Sequence, residues 1–277
     1  MAKILVATDL TPRADRAISR AFVLAREHGA DLTVLHVIDG DLPEVIAKRM
    51  RSEVGTYLAR ICKGNKGADT VNWSAQIEAG SPETAIASCA KDLPADLVVL
   101  GLHRPRSVLD KMRTATLEHI VRNCGQPVLL AALPAEQPYQ TVLAAVDFTP
   151  ASTAAIATVQ HWAPKAKIHA FHAVYTGLGR VGSRDTDHAM ARAILSETRT
   201  VCDAWMDRNG MLGDIDPPEI IEGALGSVYD RKQLELKPQI IALGAHARHG
   251  LAHWVLGGFA RNLIRDPPCD LLITKPD

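Results

Sequence analysis

Short apolar runs alternate along the chain with longer stretches in which apolar residues recur every three or four positions. Lys3–Thr8 is the first run. Thr11 stands where a helix N-cap belongs, Pro12 suits the first turn and Gly29 suits the stop, with Ala17, Ala21, Leu24 and Ala25 at helical spacing between them. Leu32–Val37 then reads as a strand, Val45–Cys62 as a longer helix, Asn72–Glu78 as a strand and Pro82–Leu93 as a helix. Leu97–Gly101 is a near-continuous apolar strand, and a helix over Thr116–Asn123 and a strand over Pro127–Ala132 complete the series. Near-continuous apolar strands separated by helices predict a parallel sheet covered on both faces.

The pattern then starts again. KILVATDLTP (Lys3–Pro12) matches TVLAAVDFTP (Thr141–Pro150), which sets Asp9 against Asp147. LTVLHVID (Leu32–Asp39) matches IHAFHAVY (Ile168–Tyr175), with His36 against His172, and LVVLGLH (Leu97–His103) matches IIALGAH (Ile240–His246). The order of features is kept while the offset drifts by a few residues, as in a duplicated domain with small insertions. The expectation is an α/β protein of two tandem doubly wound five-stranded parallel-sheet domains, residues 1–135 and 136–277, divided near LPAEQPY (Leu133–Tyr139). Ligands of such sheets bind beyond the strand carboxyl ends, at the point where strand order reverses. Asp9, Asp147, Gly101 and Gly244 all fall at such ends. The last strand of each half is short and apolar, and an exposed apolar edge invites pairing.

Composition narrows the function. Across 277 residues the formal net charge is zero and aromatics make up 4%. That argues against a long-range field for nucleic acid and against base-stacking platforms. Five cysteines at wide spacings, without a CxxC pair, suit small hydrophobes in a reducing compartment rather than a disulfide framework. The start, MAKILVATDL, lacks the long apolar region and small-residue cleavage site of a signal peptide, and no stretch of about 20 apolar residues is present. A cytoplasmic protein without a membrane span is expected.

The richest stretch for chemistry is Gly244–Arg265, GAHARHGLAHWVLGGFARNLIR. After a strand come Gly244 and Ala247, then Gly257–Gly258 at the start of a helical pattern. Small residues let backbone N–H groups approach an anion, and a helix N-terminus adds its dipole; a ligand-free glycine turn fits the same letters. His246, His249 and His253 fall in this loop, and His249 and His253 are four apart, as zinc ligands can be. No cysteine or carboxylate is nearby, and His103 repeats His246, which ties that pair to the fold. GLGRVG (Gly177–Gly182) fits GxGxxG, with Asp203 about 20 residues on, but its repeat counterpart DGDLPEV has no such pattern. No GxSxG and no GxxxxGK[ST] occurs. Ser81 and Ser227 read as helix caps, and Thr11 and Thr149 as caps at the same place in both halves.

Two copies of strand–Asp, an apolar strand ending His-Val or His-Ala, and a late Gly-x-x-Gly-x9-Gly-Ser/Thr loop resemble the universal stress protein family over nearly the whole chain, as a tandem pair. The resemblance implies the adenine nucleotide alpha hydrolase-like fold of that family. It implies that Asp147 hydrogen-bonds adenine and that backbone near Ala173 contacts the base. Gly244, His246, Ala247, Gly257, Gly258 and Phe259 then hold ribose and phosphates of ATP or a related adenine nucleotide, with or without Mg²⁺ or Mn²⁺. The second half departs from the motif at Ala247, in place of a glycine, and at Gly258, in place of Ser/Thr. The first half departs further: Arg104, Thr114 and Ala115 replace the second glycine, the third glycine and the Ser/Thr, so binding is expected mainly in the second half. The family's last strands commonly pair across a dimer, which implies an internal pseudo-dimer here and leaves a homodimer of chains open. The resemblance implies a stress-response protein with little or no hydrolysis and no catalytic or metal-ligating residue; a nucleotide-free scaffold for partners is the alternative. An adenylyl-transferring enzyme on a related fold would show a His-x-x-His signature after the first strand, and none follows it.

Overall fold

A computed structural model describes residues 1–12, 14–101, 108–135, 137–177, 185–213, 215–247, 254–255 and 257–276. Its elements run β1 (Lys3–Thr8), α1 (Ala14–His28), β2 (Asp31–Ile38), α2 (Glu44–Gly64), β3 (Trp73–Ala79), α3 (Pro82–Asp92), β4 (Leu97–Gly101), α4 (Val108–Asn123) and β5 (Val128–Ala131) through the first repeat. The second repeat carries β6 (Thr141–Ala145), α5 (Pro150–Trp162), β7 (Lys167–Val174), α6 (Asp185–Arg208), β8 (Glu219–Glu222), α7 (Leu225–Leu236) and β9 (Ile240–Gly244). It ends with the two-residue strands β10 (His246–Ala247) and β11 (Trp254–Val255), then α8 (Gly258–Arg265) and β12 (Asp270–Thr274).

By internal contacts the chain divides into two compact units, Met1–Pro138 with Ala245–Lys275, and Tyr139–Gly244 with Pro276–Asp277. In the first unit β1 pairs in parallel with β2 and β4, β2 with β3, and β4 with β5. In the second, β6 pairs in parallel with β7 and β9, and β7 with β8. The doubly wound α/β architecture expected from the apolar runs is present. Central strands bury both faces: Ile4, Leu5, Val6, Val98 and Val99 in the first unit, and Val142, Leu143, Ile241 and Ala242 in the second, are almost wholly hidden from solvent.

The last strands of the two repeats pair with each other. β12 lies antiparallel to β5 within the first unit, Leu271 against Leu130 and Ile273 against Val128. A buried ion pair pins this ladder. Arg20 Nε lies 3.0 Å from Asp270 Oδ2, with the two side chains 4% and 0% exposed. Asp270 Oδ1 also accepts from the backbone N–H groups of Ala132 at 2.7 Å and Leu133 at 2.9 Å.

One helix is longer than its apolar spacing suggests: α4 begins at Val108 rather than at Thr116. All five cysteines are free and buried, and burial pushes the Cys62 and Cys89 thiols up to about 11 and Cys269 to about 12. They are packing residues, protonated at neutral pH. Among the described residues no helix is long and apolar enough to cross a membrane.

Candidate functional site

In both repeats the first strand ends in the same local device. Asp9 Oδ1 accepts from the backbone N–H of Thr11 at 3.1 Å and from its hydroxyl at 2.6 Å. Thr11 Oγ1 in turn accepts from the Ala14 N–H at 3.4 Å, so the carboxylate, the cap and the start of α1 are linked. The turn puts Leu10 in the left-handed region, at φ 61°. For a branched side chain this is strained by about 1–3 kcal/mol, a cost the surrounding bonds must hold. His36 Nδ1 lies 2.8 Å from the Thr8 carbonyl. A carbonyl only accepts, so Nδ1 carries the proton, and the ring ties the end of β2 to the end of β1 beside Asp9. Burial first, and then the charge of Asp9, hold the Asp15 carboxyl above its ordinary value.

These strand ends in the first unit open onto a cavity of about 250 Å³. Its floor is Thr8, Asp9 and His36, Gly101 stands at the end of β4, and α3 and α4 close it with Ile86 and Ile120. It is mostly apolar with a few convergent polar groups and sits at the strand-order reversal between β1 and β4, the usual character and place of a small-molecule site.

The second unit repeats the device with additions. Asp147 Oδ1 accepts from the Thr149 hydroxyl at 2.7 Å and N–H at 3.3 Å, and also from the Ser152 hydroxyl, whose Oγ accepts from the Asp147 N–H at 2.9 Å. Ala14 stands at the position of Ser152 in the first repeat, so only the second carboxylate receives this extra bond. Phe148 takes φ 63°. Its ring packs 4.5 Å from the ring of His172 and 5.9 Å from that of Trp205. His172 Nδ1 lies 2.7 Å from the Val146 carbonyl, as His36 does from Thr8. Ala173, half-buried near the end of β7, pairs with Ile221. The paired histidines are visible in the sequence as a repeat; their tie to the carbonyl before each Asp is not.

Gly101 and Gly244 have a packing reason that the phosphate reading omits. A Cβ on Gly101 would stand 2.9 Å from Ala14 Cα, and one on Gly244 would stand 2.4 Å from the Ala151 carbonyl carbon. In both repeats the fourth strand passes so close to the first helix that only glycine fits. Gly244→Val is therefore expected to unfold its unit rather than only empty a ligand site, and Gly101→Val to damage the first unit in the same way. Overpacking costs about 1–3 kcal/mol when neighbours can shift, and more against fixed backbone. Thermal melts of both variants check this; a melt unchanged from wild type would leave the phosphate reason alone.

The remaining loop residues belong to the first unit by contacts, whereas Asp147, Ala173 and Gly244 belong to the second. His246 and Ala247 form β10, antiparallel to Trp254–Val255. Gly257 is the N-cap of α8, at φ −61° and ψ 161°, without a side-chain capping bond. A Cβ on Gly257 or Gly258 would meet nothing within 4 Å, and both residues are exposed, with Phe259 half-buried behind them. The N–H groups of Gly257 and Gly258 thus start α8 without a side-chain capping bond, at the helix end that favours an anion.

His249 and His253 lie outside the described residues, as do five of the six residues of GLGRVG. Among the described residues no three His, Cys, Asp or Glu groups gather as metal ligands. Thr149 caps α5 as expected, accepting from the Ser152 N–H. Ser81 takes the N-cap position of α3, but its hydroxyl donates to Glu83 Oε2 instead. Ser227 lies inside α7, whose N-cap is Ala224.

The profile of the universal stress protein family matches residues 1–132 and again 138–275. A curated Staphylococcus epidermidis relative named as a universal stress protein is 29% identical over 135 residues, 46% of this chain and 81% of its own length. The crystal structure of a universal stress protein from Archaeoglobus fulgidus superposes with a TM-score of 0.72 at 17% identity, over 99% of this chain and 98% of that one. A universal stress protein solved in complex with cAMP aligns with 48% of this chain and 98% of its own, at 17% identity and a TM-score of 0.40.

Proposed function

The chain belongs to the universal stress protein family, and on that footing we propose that it binds ATP or a related adenine nucleotide as a stress-response protein, with little or no hydrolysis. Phosphate binding is assigned to the second repeat. The observation that carries this is the start of α8: Gly257 and Gly258 leave open space and uncapped N–H groups where the family motif holds phosphates. Asp147 reads the base and Ala173 offers backbone to it, while Gly244, His246, Ala247 and Phe259 complete the loop. Mg²⁺ or Mn²⁺ enters with the phosphates of the nucleotide. The site is expected to work in the cytoplasm, and in a chain whose repeats pair as a family dimer does.

Calorimetric titration with ATP tests the assignment. About one nucleotide per chain is expected, with binding lost in Asp147→Asn. Two equal ATP sites per chain, or binding unchanged by that substitution, would refute it.

A further inference from the structure

The second strands of the two repeats are not covered alike. β2 is paired with β3 from Leu32 opposite Trp73, through Thr33 opposite Ser74 and Val34 opposite Ala75, to Ile38 opposite Ala79. The repeat counterparts of Leu32, Thr33 and Val34 are Ile168, His169 and Ala170. The β7–β8 pairing starts only after them, at Phe171 opposite Glu219, and ends at Val174 opposite Glu222. The cause is legible in the letters. Continuing the register of β8 backward would set Pro218 beside Ala170 and Pro217 beside His169, and neither proline has an N–H to give a ladder.

The neighbours fix which way the uncovered groups face. The Lys167 N–H donates to the Gln140 carbonyl at 2.8 Å, and the Phe171 carbonyl accepts from the Val146 N–H at 2.9 Å, both toward β6. On the other side the Val174 carbonyl accepts from the Gly223 N–H at 2.9 Å. Backbone groups alternate sides along a strand, so Ile168 and Ala170 face the side that β8 leaves uncovered. Among the described residues no backbone hydrogen bond joins residues 215–218 to either of their N–H groups. In the first repeat the Leu32 N–H at this position donates to the Asn72 carbonyl at 2.9 Å.

The uncovered edge has room beside it. Two cavities share Ile168 and Asp216 as walls: one of about 400 Å³ among Gln160, Pro164, Lys167 and Ile215, and one of about 160 Å³ along His169 and Ala170. The smaller carries two carboxylates, Asp216 and Glu219, against one ammonium, Lys232. Lys232 is held by Glu219 at 2.5 Å and by Glu235 at 3.8 Å. Asp216 is exposed and forms no ion pair among the described residues.

We infer that this edge of the second repeat docks an extended peptide segment of a partner protein. The segment pairs backbone to backbone with Ile168 and Ala170, as Trp73–Ala75 pair with β2, and sets a basic side chain against Asp216. Main-chain bonds of this kind supply affinity at an open sheet edge, and side chains supply the choice of partner. The site lies at the strand starts, the opposite ends from Asp147, and is independent of the nucleotide reading.

Fluorescence anisotropy of the full chain with a labelled hexapeptide of alternating valine and lysine is the test. Saturable binding is expected, weakened at least tenfold when the peptide is N-methylated throughout. It is weakened at least threefold when glutamate replaces lysine, and as much in Asp216→Asn. Ile168→Pro removes an N–H that β6 does not use, and should weaken binding at least tenfold with a melt close to wild type. Amide exchange in the wild-type chain decides the matter without any variant: the Ile168 and Ala170 amides should slow at least tenfold when the lysine peptide is added. Binding indifferent to N-methylation, unchanged exchange at those two amides, or no saturation up to about 1 mM peptide overturns the inference.

Discussion

Asp270→Ala is expected to cost about 3–5 kcal/mol of stability, the usual penalty for breaking a buried ion pair from one side. The carboxylate is wholly buried and serves Arg20 and the N–H groups of Ala132 and Leu133. Arg20 itself is only 4% exposed. It also donates to the Gln137 carbonyl at 3.0 Å. Truncation takes the carboxylate away from a buried guanidinium and from two backbone donors. The damage falls on the β5–β12 ladder, which joins residues far apart in sequence. Asp270→Asn should cost less, because one oxygen can still accept from the two N–H groups. Urea denaturation of the three proteins gives the values, and a loss below about 1 kcal/mol for the alanine variant would mean that the pair is not what secures β12.

ATP turnover is expected to lie orders of magnitude below the median enzyme value of about 10 per second. Fast phosphoryl transfer needs placed charge: a metal clamp, a cation on the transferring group and a group that orients the nucleophile. The stretch Gly244–Arg265 contains no Asp or Glu. Asp147 is occupied by Thr149 and Ser152 on one oxygen and reads the base in this account. Backbone donors at α8 hold ground-state phosphates about as well as a transition state, and uniform binding does not accelerate chemistry. A steady-state phosphate-release assay with Mg²⁺ or Mn²⁺, on protein freed of contaminating ATPase, measures it. Turnover near the median, abolished by one side-chain substitution, would make the protein an enzyme.

The fold was legible because each strand is a short apolar run and each helix keeps its spacing. Leu97–Gly101 has the bounds read from its letters. The duplication helped, since each half supports the reading of the other. The start of α4 is not legible for a local reason: Arg-Ser-Val-Leu-Asp-Lys-Met-Arg is rich in charge, which blurs the apolar spacing of a helix. The capping-box pattern Ser107-x-x-Asp110 was the available clue. Gly101 and Gly244 stand at the strand ends where ligands bind, although helix packing against the strand alone requires them. That requirement comes from a tertiary distance, which no sequence spacing carries.

The central claim is that this chain binds adenine nucleotide through the strand-end carboxylate of Asp147 and the start of α8. Its most direct test is calorimetry of the wild-type chain with ATP beside Gly258→Val, a substitution into open space that leaves packing intact. Saturable binding near one ATP per chain, weakened at least tenfold in the variant with an unchanged melt, is the result this account predicts. No heat of binding with ATP, ADP or AMP to the folded wild-type chain would contradict it and favour a nucleotide-free scaffold.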